Sequence, residues 1–300
     1  MLVDNGVRSE VVTAVDGNTI DYLVTAFRPD VCIIEALWCT PEKIIELGLL
    51  HPKVEFVVRL HSETPFLAHE GIAIEWIDGY YDNYGPSVAC NSTRLRRDIH
   101  YATGNEPLYL PNYYHPGENF KNHVCNPTPA SLQVSCFGAI RPLKNQLLQA
   151  ICAIKFADDK DLVLNFNING TRVENSGAGV LKNLRALFSG TRHKLVEHVW
   201  YSHTDFLKVL DTMDIGMQAS LSETYNIVSA DMVSVGLPIV VSDEVNWCSP
   251  ISRVSAVDSK SIVEGLHRVL LNGRDVAFKN AKALKNNAKQ AEKVWMEYVK

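Results

Sequence analysis

LQVSCFGAIRPLKNQLLQAICAIKFA (132–157) reads as one strand, one tight turn and one helix. LQVSCFG (132–138) is a short apolar run closed by a glycine, the length of a buried strand, and NQLLQAICAIKFA (145–157) carries helical spacing. The unit repeats towards the C-terminus. DLVLNFNI (161–168), KLVEHV (194–199), DIGMQA (214–219) and LPIVVSD (237–243) are further strands, and VLKNLRALF (180–188) and TYNIVSADMVSVG (224–236) are helical periods between them. Short continuous apolar strands separated by helices favour a parallel sheet covered on both faces. Gly138, Gly170, Gly190 and Gly236 fall beside the transitions, where freedom in φ helps the chain turn.

The same alternation occupies the N-terminal side. VCIIEA (31–36), VEFVVRL (54–60), SVACN (87–91) and LYLPN (108–112) read as strands, with helical segments near 41–49, 65–78 and 93–101. Between the two series NHVCNPTPAS (122–131) is polar and holds two prolines, so the chain is expected to divide into domains at residues 1–127 and 128–300. SIVEGLHRVLL (261–271) and the Lys-rich run over 276–299 read as helix, whose apolar residues, Val276, Leu284 and Trp295 among them, supply a face for packing across the domains. The second domain is expected to be an open doubly wound sheet, with ligands beyond the carboxyl ends of its strands near a reversal of strand order.

Composition restricts the function classes. Of 300 residues 46% are hydrophobic and 21% charged, which argues against pervasive disorder. With 29 basic and 34 acidic residues the net charge is -5, so a DNA acceptor is possible but not indicated by net charge. MLVDNGVRSE (1–10) holds no apolar run suited to secretion, and no later stretch reaches membrane-spanning length without charge or a turn signal, so a cytoplasmic protein is expected. Seven cysteines without a C-x-x-C pair read as reduced, mostly buried thiols. Asp159-Lys160-Asp161 satisfies a loose D-x-D pattern but precedes a strand, at the end opposite a ligand crevice; no metal is expected.

Two clusters carry candidate chemistry. In FGAIRPLKNQ (137–146), Arg141 offers a guanidinium fork and Lys144 a mobile point charge, both able to neutralise a departing diphosphate. The alternative is a basic pair that only solvates the first turn of the helix. In ASLSETYNIVSADMVSVGLPIVVSDE (219–244), Ser222 is expected to cap a helix that Glu223 enters at its positive end. The amides of Tyr225, Asn226 and Ile227 would then lie in the first turn, open to phosphate oxygens. Glu223 and Asp231 stand eight residues apart, about 12 Å along an ideal helix, so one can face a hexose-like ring and the other a ribose. Ordinary helix-start roles for Ser222 and Glu223, and a solvent-facing Asp231, remain open on the local sequence.

Taken together, the order and spacing of these segments resemble the retaining glycosyltransferases of family 4, whose two Rossmann-like doubly wound domains face each other across a cleft (GT-B). G-A-I-R-P-L-K (138–144) resembles their glycine-to-lysine phosphate loop, and E-T-Y-N-I-V-S-A-D (223–231), followed by V-G-L-P-I-V-V (235–241), resembles their E-x7-E signature. Asp231 stands where the second glutamate is usual, and Ala139 where many members have arginine. VVRLHSETPF (57–66) resembles the strand and histidine loop that faces the donor sugar, which makes His61 a candidate near the reacting centre. VACNSTRLRR (88–97) and YLPNYY (109–114) resemble two further elements of the first domain.

The resemblance implies transfer of a sugar from a nucleotide sugar to an unidentified acceptor, with retention and without metal. The nucleotide sugar is a substrate, and no cofactor is implied. Glu223, His61, Arg141 and Lys144 would serve the reaction. Gly138, Arg141, Lys144, Val199, Tyr225, Asn226, Ile227 and Asp231 would bind the donor. The family's opening strand and glycine loop have no counterpart before RSEVVTAV (8–15), so a partner completing the first domain is one expectation. A weakly catalytic nucleotide-sugar-binding or assembly protein, and less readily a nucleotide-sugar epimerase, are the competing readings.

Overall fold

The computed structural model describes residues 1–81, 85–115, 131–174 and 176–300. The chain forms two compact units, Met1–Tyr113 with Lys289–Lys300, and Tyr114–Ala288. All but the last residue of the expected joint at 122–131 lies outside the described residues.

The first unit runs α1 (Gly17–Phe27), β1 (Val31–Glu35), α2 (Pro41–Leu50), β2 (Glu55–Leu60), α3 (Thr64–Leu67), α4 (Ala73–Tyr80), β3 (Ser87–Cys90), α5 (Thr93–Thr103) and β4 (Leu108–Tyr109). Among the described residues its sheet is parallel throughout, in the order β1-β2-β3-β4. Helix starts follow their caps: the Asp16, Thr40 and Ser92 side chains accept from the amides of Thr19, Lys43 and Leu95. One helix was expected over 65–78. The chain instead forms α3 and α4, with Gly71 in the turn between them, where glycine weakens a helix.

Strand side chains alternate between faces. Ile34, Phe56, Val58, Leu60, Val88 and Cys90 pack with Ile44, Leu47, Ile77 and Leu95 of the helices. Val57, Ala89 and Leu110 cluster instead with Trp295, and Val31 and Ile33 lie against them.

The second unit contains β5 (Ser131–Ser135), α6 (Gln146–Asp159), β6 (Val163–Asn169), α7 (Gly177–Ser189), β7 (Lys194–His198), α8 (His203–Leu210), β8 (Ile215–Gln218), α9 (Ile227–Ser234), β9 (Ile239–Ser242), β10 (Arg253–Val254) and most of α10 (Ser259–Tyr298). The two terminal helices expected from the sequence are both present within α10, divided at Asn272, whose backbone is not helical (φ -125, ψ 28). The early turns of α10 put Ile262, Leu266 and Val269 into the main core with Val134, Phe156, Phe166, Ile215 and Val240.

Among the described residues the sheet is parallel, ordered β7-β6-β5-β8-β9-β10. Succession runs outward from β5 through β6 to β7, then returns to its other side at β8. That reversal makes a doubly wound Rossmann-type sheet and places a crevice beyond the carboxyl ends of β5 and β8. Sequence periodicity missed β10, two residues long and carrying no repeat of its own.

No described helix is long and apolar enough to cross a membrane. The six described cysteines are free thiols, and burial pushes the Cys136 thiol up to about 12. Cys125 lies outside the described residues.

Candidate functional site

Two loops, one after β5 and one after β8, meet on either side of the strand-order reversal. The first turns at Gly138, whose φ of 118 lies in the region that favours glycine. Its amide donates to Asn169 Oδ1 at 2.8 Å. Ile140 then pairs with the segment after β6: its amide donates to Arg172 O at 2.8 Å, and its carbonyl accepts from Glu174 N at 3.0 Å. A Cβ on Gly177 would lie 1.9 Å from Ile140 O, so the start of α7 can approach this loop only as glycine.

Pro142–Lys144 form a 3-10 turn, and Asn145 (φ 57) leads into α6. The Asn145 side-chain amide donates to Ala219 O at 3.0 Å and to Ala256 O at 2.8 Å. Gln149 bridges both loops, donating to Lys144 O and accepting from Ala219 N, each at 2.8 Å. Residues 136–145, between β5 and α6, are thereby fixed with only the short 3-10 turn as a regular element, which suits a site that must hold its geometry.

Lys144 Nζ bonds Glu223 Oε1, with 11% and 7% of the two side chains exposed. Asn226 Nδ2 donates to the same Glu223 oxygen and to Gln218 Oε1, both at 3.0 Å, while Gln218 Nε2 donates to Phe137 O at 2.8 Å. A buried carboxylate is thus matched by an ammonium and an amide, both positioned by polar groups at the strand ends.

The cap of α9 differs from the sequence expectation. Asn226 stands at φ 63 and its side chain accepts from Ser229 N at 2.8 Å, so the helix opens at Ile227, three residues later than the spacing predicts. Ser222 is not its cap, and Glu223 is not on the helix. Of the three amides expected in the first turn, only that of Ile227 lies there; those of Tyr225 and Asn226 precede it. Tyr225 is held by Trp247, its ring stacked at 5.5 Å and its carbonyl accepting from the indole nitrogen at 2.6 Å.

Asp231 is buried inside α9 and does not face water. Its Oδ1 accepts from the Tyr114 hydroxyl and meets His203 Nε2, each at 2.8 Å. Burial pushes its carboxyl up, and these two hydrogen bonds only partly offset that.

Arg141 Nη1 stands 3.6 Å from Glu174 Oε2, and Arg172 Nε binds the other Glu174 oxygen at 2.5 Å. Val199 and Trp200 are exposed beyond β7, with the Arg172 guanidinium 4.7 Å from the Trp200 ring. His198 lies beneath, bonded to Asn167 Oδ1 at 2.8 Å and Tyr201 OH at 3.0 Å, and burial lowers its pKa. His61 belongs to the first unit, exposed just past β2, with Nδ1 3.6 Å from Glu35 Oε2. Asp159 pairs with Lys155, and Asp161 with Arg192, at the amino-terminal end of β6.

Lys144, Glu223 and Asn226 therefore converge, and Gly138 shapes the same loop. The sequence reading missed Gln218, Gln149, Asn169, Tyr114 and His203. A glutamine ending the apolar run DIGMQA signalled Gln218; Tyr114, 117 residues from Asp231, has no local signal. The arrangement can hold an anion between a lysine and the open first turn of a helix, beside a carboxylate able to take sugar hydroxyls.

No protein-family model matches the sequence, and no curated protein matches it. Solved structures do. The apo structure of OtsA superposes with a TM-score of 0.68 at 10% identity over 95% of this chain and 76% of that one. The UDP-forming α,α-trehalose-phosphate synthase of Burkholderia xenovorans in complex with glucose-6-phosphate gives 0.67 at 12% identity, covering 94% and 76%. TarM gives 0.67 at 11% identity, covering 94% and 57%. These neighbours are GT-B glycosyltransferases, and the chain has their GT-B fold, with two Rossmann-like parallel α/β units.

Proposed function

We propose that the chain is a retaining glycosyltransferase that moves a sugar from a nucleotide-sugar donor, held by the second unit, to a hydroxyl-bearing acceptor. The observation that carries this reading is the meeting of Lys144 and Glu223 from two loops across the strand-order reversal, beside the open end of α9. The fold shared with glycosyltransferases supports it.

As the glycosidic bond to the leaving diphosphate breaks, negative charge grows on phosphate and positive charge on the sugar. An ammonium carries three donors, so Lys144 can keep Glu223 and still donate to a phosphate oxygen. The amides of Ile227 and Val228 would take further phosphate oxygens, Gly138 would keep the turn beside them free of a side chain, and Arg141, tethered through Glu174, would add long-range charge. Glu223 would position sugar hydroxyls and favour the cationic ring. Asp231 would accept from ribose, and Val199 would border the base. His61 is proposed to hydrogen-bond the transferred sugar, a role resting on its motif alone. Metal is not required in this scheme, because cationic side chains and amides face the leaving group.

Incubation with UDP, GDP, ADP and CDP sugars and an acceptor panel, read by mass spectrometry, tests the proposal. The expected result is free nucleoside diphosphate with an equal amount of glycosylated acceptor, its anomeric configuration retained by NMR. Donor binding without turnover across the panel, or sugar isomerisation without acceptor, would replace it with one of the competing readings.

A further inference from the structure

The first unit contains a cavity of about 300 Å3 that the donor site does not use. On the sheet face that packs against Trp295, the apolar rows of β1 to β4 end at the carboxyl edge in polar residues. Val31 and Ile33 lead to Glu35, Val57 leads to Arg59, and Ala89 leads to Asn91; Asn112 follows β4. Period-2 alternation puts the strand residues of each pair on one face. Glu35, Arg59, Asn112, Tyr113 and Trp295 line the cavity.

Arg59 is almost wholly buried, and its guanidinium is engaged on every side. Nε donates to Leu110 O at 2.7 Å, Nη1 reaches both Glu35 oxygens at 2.9 and 2.8 Å, and Nη2 donates to Asn112 Oδ1 at 2.5 Å. Its charge is therefore matched by the carboxylate beside it. Glu35 remains 54% exposed and keeps acceptor capacity, since a carboxylate offers about four lone-pair directions. Burial alone would raise its pKa, but the neighbouring His61 ring and the Arg59 guanidinium outweigh burial and hold it below the usual glutamate range.

Asn112 Oδ1 also accepts from Asn91 Nδ2 at 3.1 Å, whereas its own amide nitrogen has no hydrogen-bond partner among the described residues. Trp295 is fixed by its indole nitrogen donating to Pro111 O at 2.8 Å. The cavity thus offers a carboxylate acceptor, an amide donor and aromatic walls, with no unmatched cation.

We propose that this cavity binds a neutral polyhydroxyl ligand, a saccharide ring without a phosphate, through Glu35 and Asn112. Calling that ligand the acceptor rests on the glycosyltransferase reading; the binding site does not. A phosphorylated sugar is disfavoured because its dianion would meet Glu35 beside a guanidinium already paired.

Saturation-transfer NMR on the full chain with methyl glucoside, galactoside and mannoside, against glucose 6-phosphate and inorganic phosphate, tests this. At least one neutral glycoside is expected to bind saturably in the millimolar range, roughly tenfold tighter than glucose 6-phosphate. Glu35→Gln should weaken the neutral ligand roughly tenfold while strengthening glucose 6-phosphate, because it releases the Arg59 charge. That reversal of preference is a result a merely structural role would not give. Asn112→Asp keeps the oxygen that Arg59 and Asn91 use but removes the donor, and should weaken the neutral ligand without changing the melting profile.

Absence of neutral binding, a wild-type preference for phosphate, or indifference to both substitutions overturns the proposal. A UDP titration in the same samples separates the two readings. UDP binding with every cavity result negative sinks the cavity assignment alone. Failure of the wild type to bind any of UDP, GDP, ADP and CDP sinks the donor reading and leaves the cavity result standing.

Discussion

Replacing Lys144 with methionine removes one half of a nearly buried ion pair and takes from the Glu223 carboxylate the ammonium that matches its charge. A charge stranded in this way costs about 3 kcal/mol, whereas removing both charges of such a pair is close to neutral. At roughly 2–4 °C per kcal/mol for a unit of this size, Lys144→Met should lower the melting temperature by about 6–12 °C. Glu223→Gln should cost about as much by stranding the ammonium. The double variant Lys144→Met/Glu223→Gln should lose only about 1 kcal/mol rather than the additive value of about 6, a coupling of about 5 kcal/mol, because glutamine can still accept from Asn226. Thermal melts of the four proteins, followed by both fluorescence and circular dichroism because two units need not unfold together, give the cycle. Additive losses in the double variant would refute the pairing. The recovered double variant also separates stability from function: it should remain folded and bind nucleoside diphosphate at least tenfold more weakly.

Other outcomes are expected elsewhere in the second unit. Gly177→Ala places a methyl 1.9 Å from Ile140 O, a contact with backbone that cannot yield cheaply, and should destabilise by about 2 kcal/mol or more in a urea melt. Gly138→Ala, at φ 118, should cost about 1–3 kcal/mol through backbone strain and weaken diphosphate binding by shifting the phosphate loop. Burial raises the folded pKa of Asp231 above the ordinary aspartate value, so the native state holds this proton more tightly than the unfolded chain. Its contribution to stability is fullest below the unfolded pKa and declines as pH rises through the window up to the raised folded value. Asp231→Asn should abolish that part of the stability-versus-pH slope, and an unchanged slope would contradict the assignment.

The fold was legible because the strands of the second unit, β10 apart, are short runs rich in apolar residues and the turns carry their own chemistry, as at Gly138 and Gly236. The strand ranges read from the sequence fall within two residues of those observed, apart from LQVSCFG, which runs three residues past the end of β5, and LYLPN, only whose first two residues pair as strand. Helix starts were less legible. The run TYNIVSADMVSVG has helical spacing from Thr224, but the Asn226 side chain wins its own cap at Ser229 and the helix waits for Ile227. That choice depends on Gln218 and Glu223 holding the Asn226 amide, contacts a linear pattern does not contain.

The candidate site was legible in part for the same reason. Lys144 and Glu223 could be singled out separately, one at a strand-to-helix turn and one beyond an apolar strand, but their pairing across 79 residues required the strand-order reversal. Glu174 beside Arg141 and His203 beside Asp231 were hidden equally, the first brought in by the segment after the neighbouring strand β6 and the second by the start of α8, which packs on α9.

A structure of the full chain with a bound nucleoside diphosphate tests the role of the Lys144–Glu223 pair without intermediaries. The phosphates are expected at the crevice beyond β5 and β8, with one oxygen within hydrogen-bond distance of Lys144 Nζ and another facing the amides that open α9. Phosphates bound elsewhere, with the Lys144–Glu223 pair undisturbed and distant from them, would contradict it.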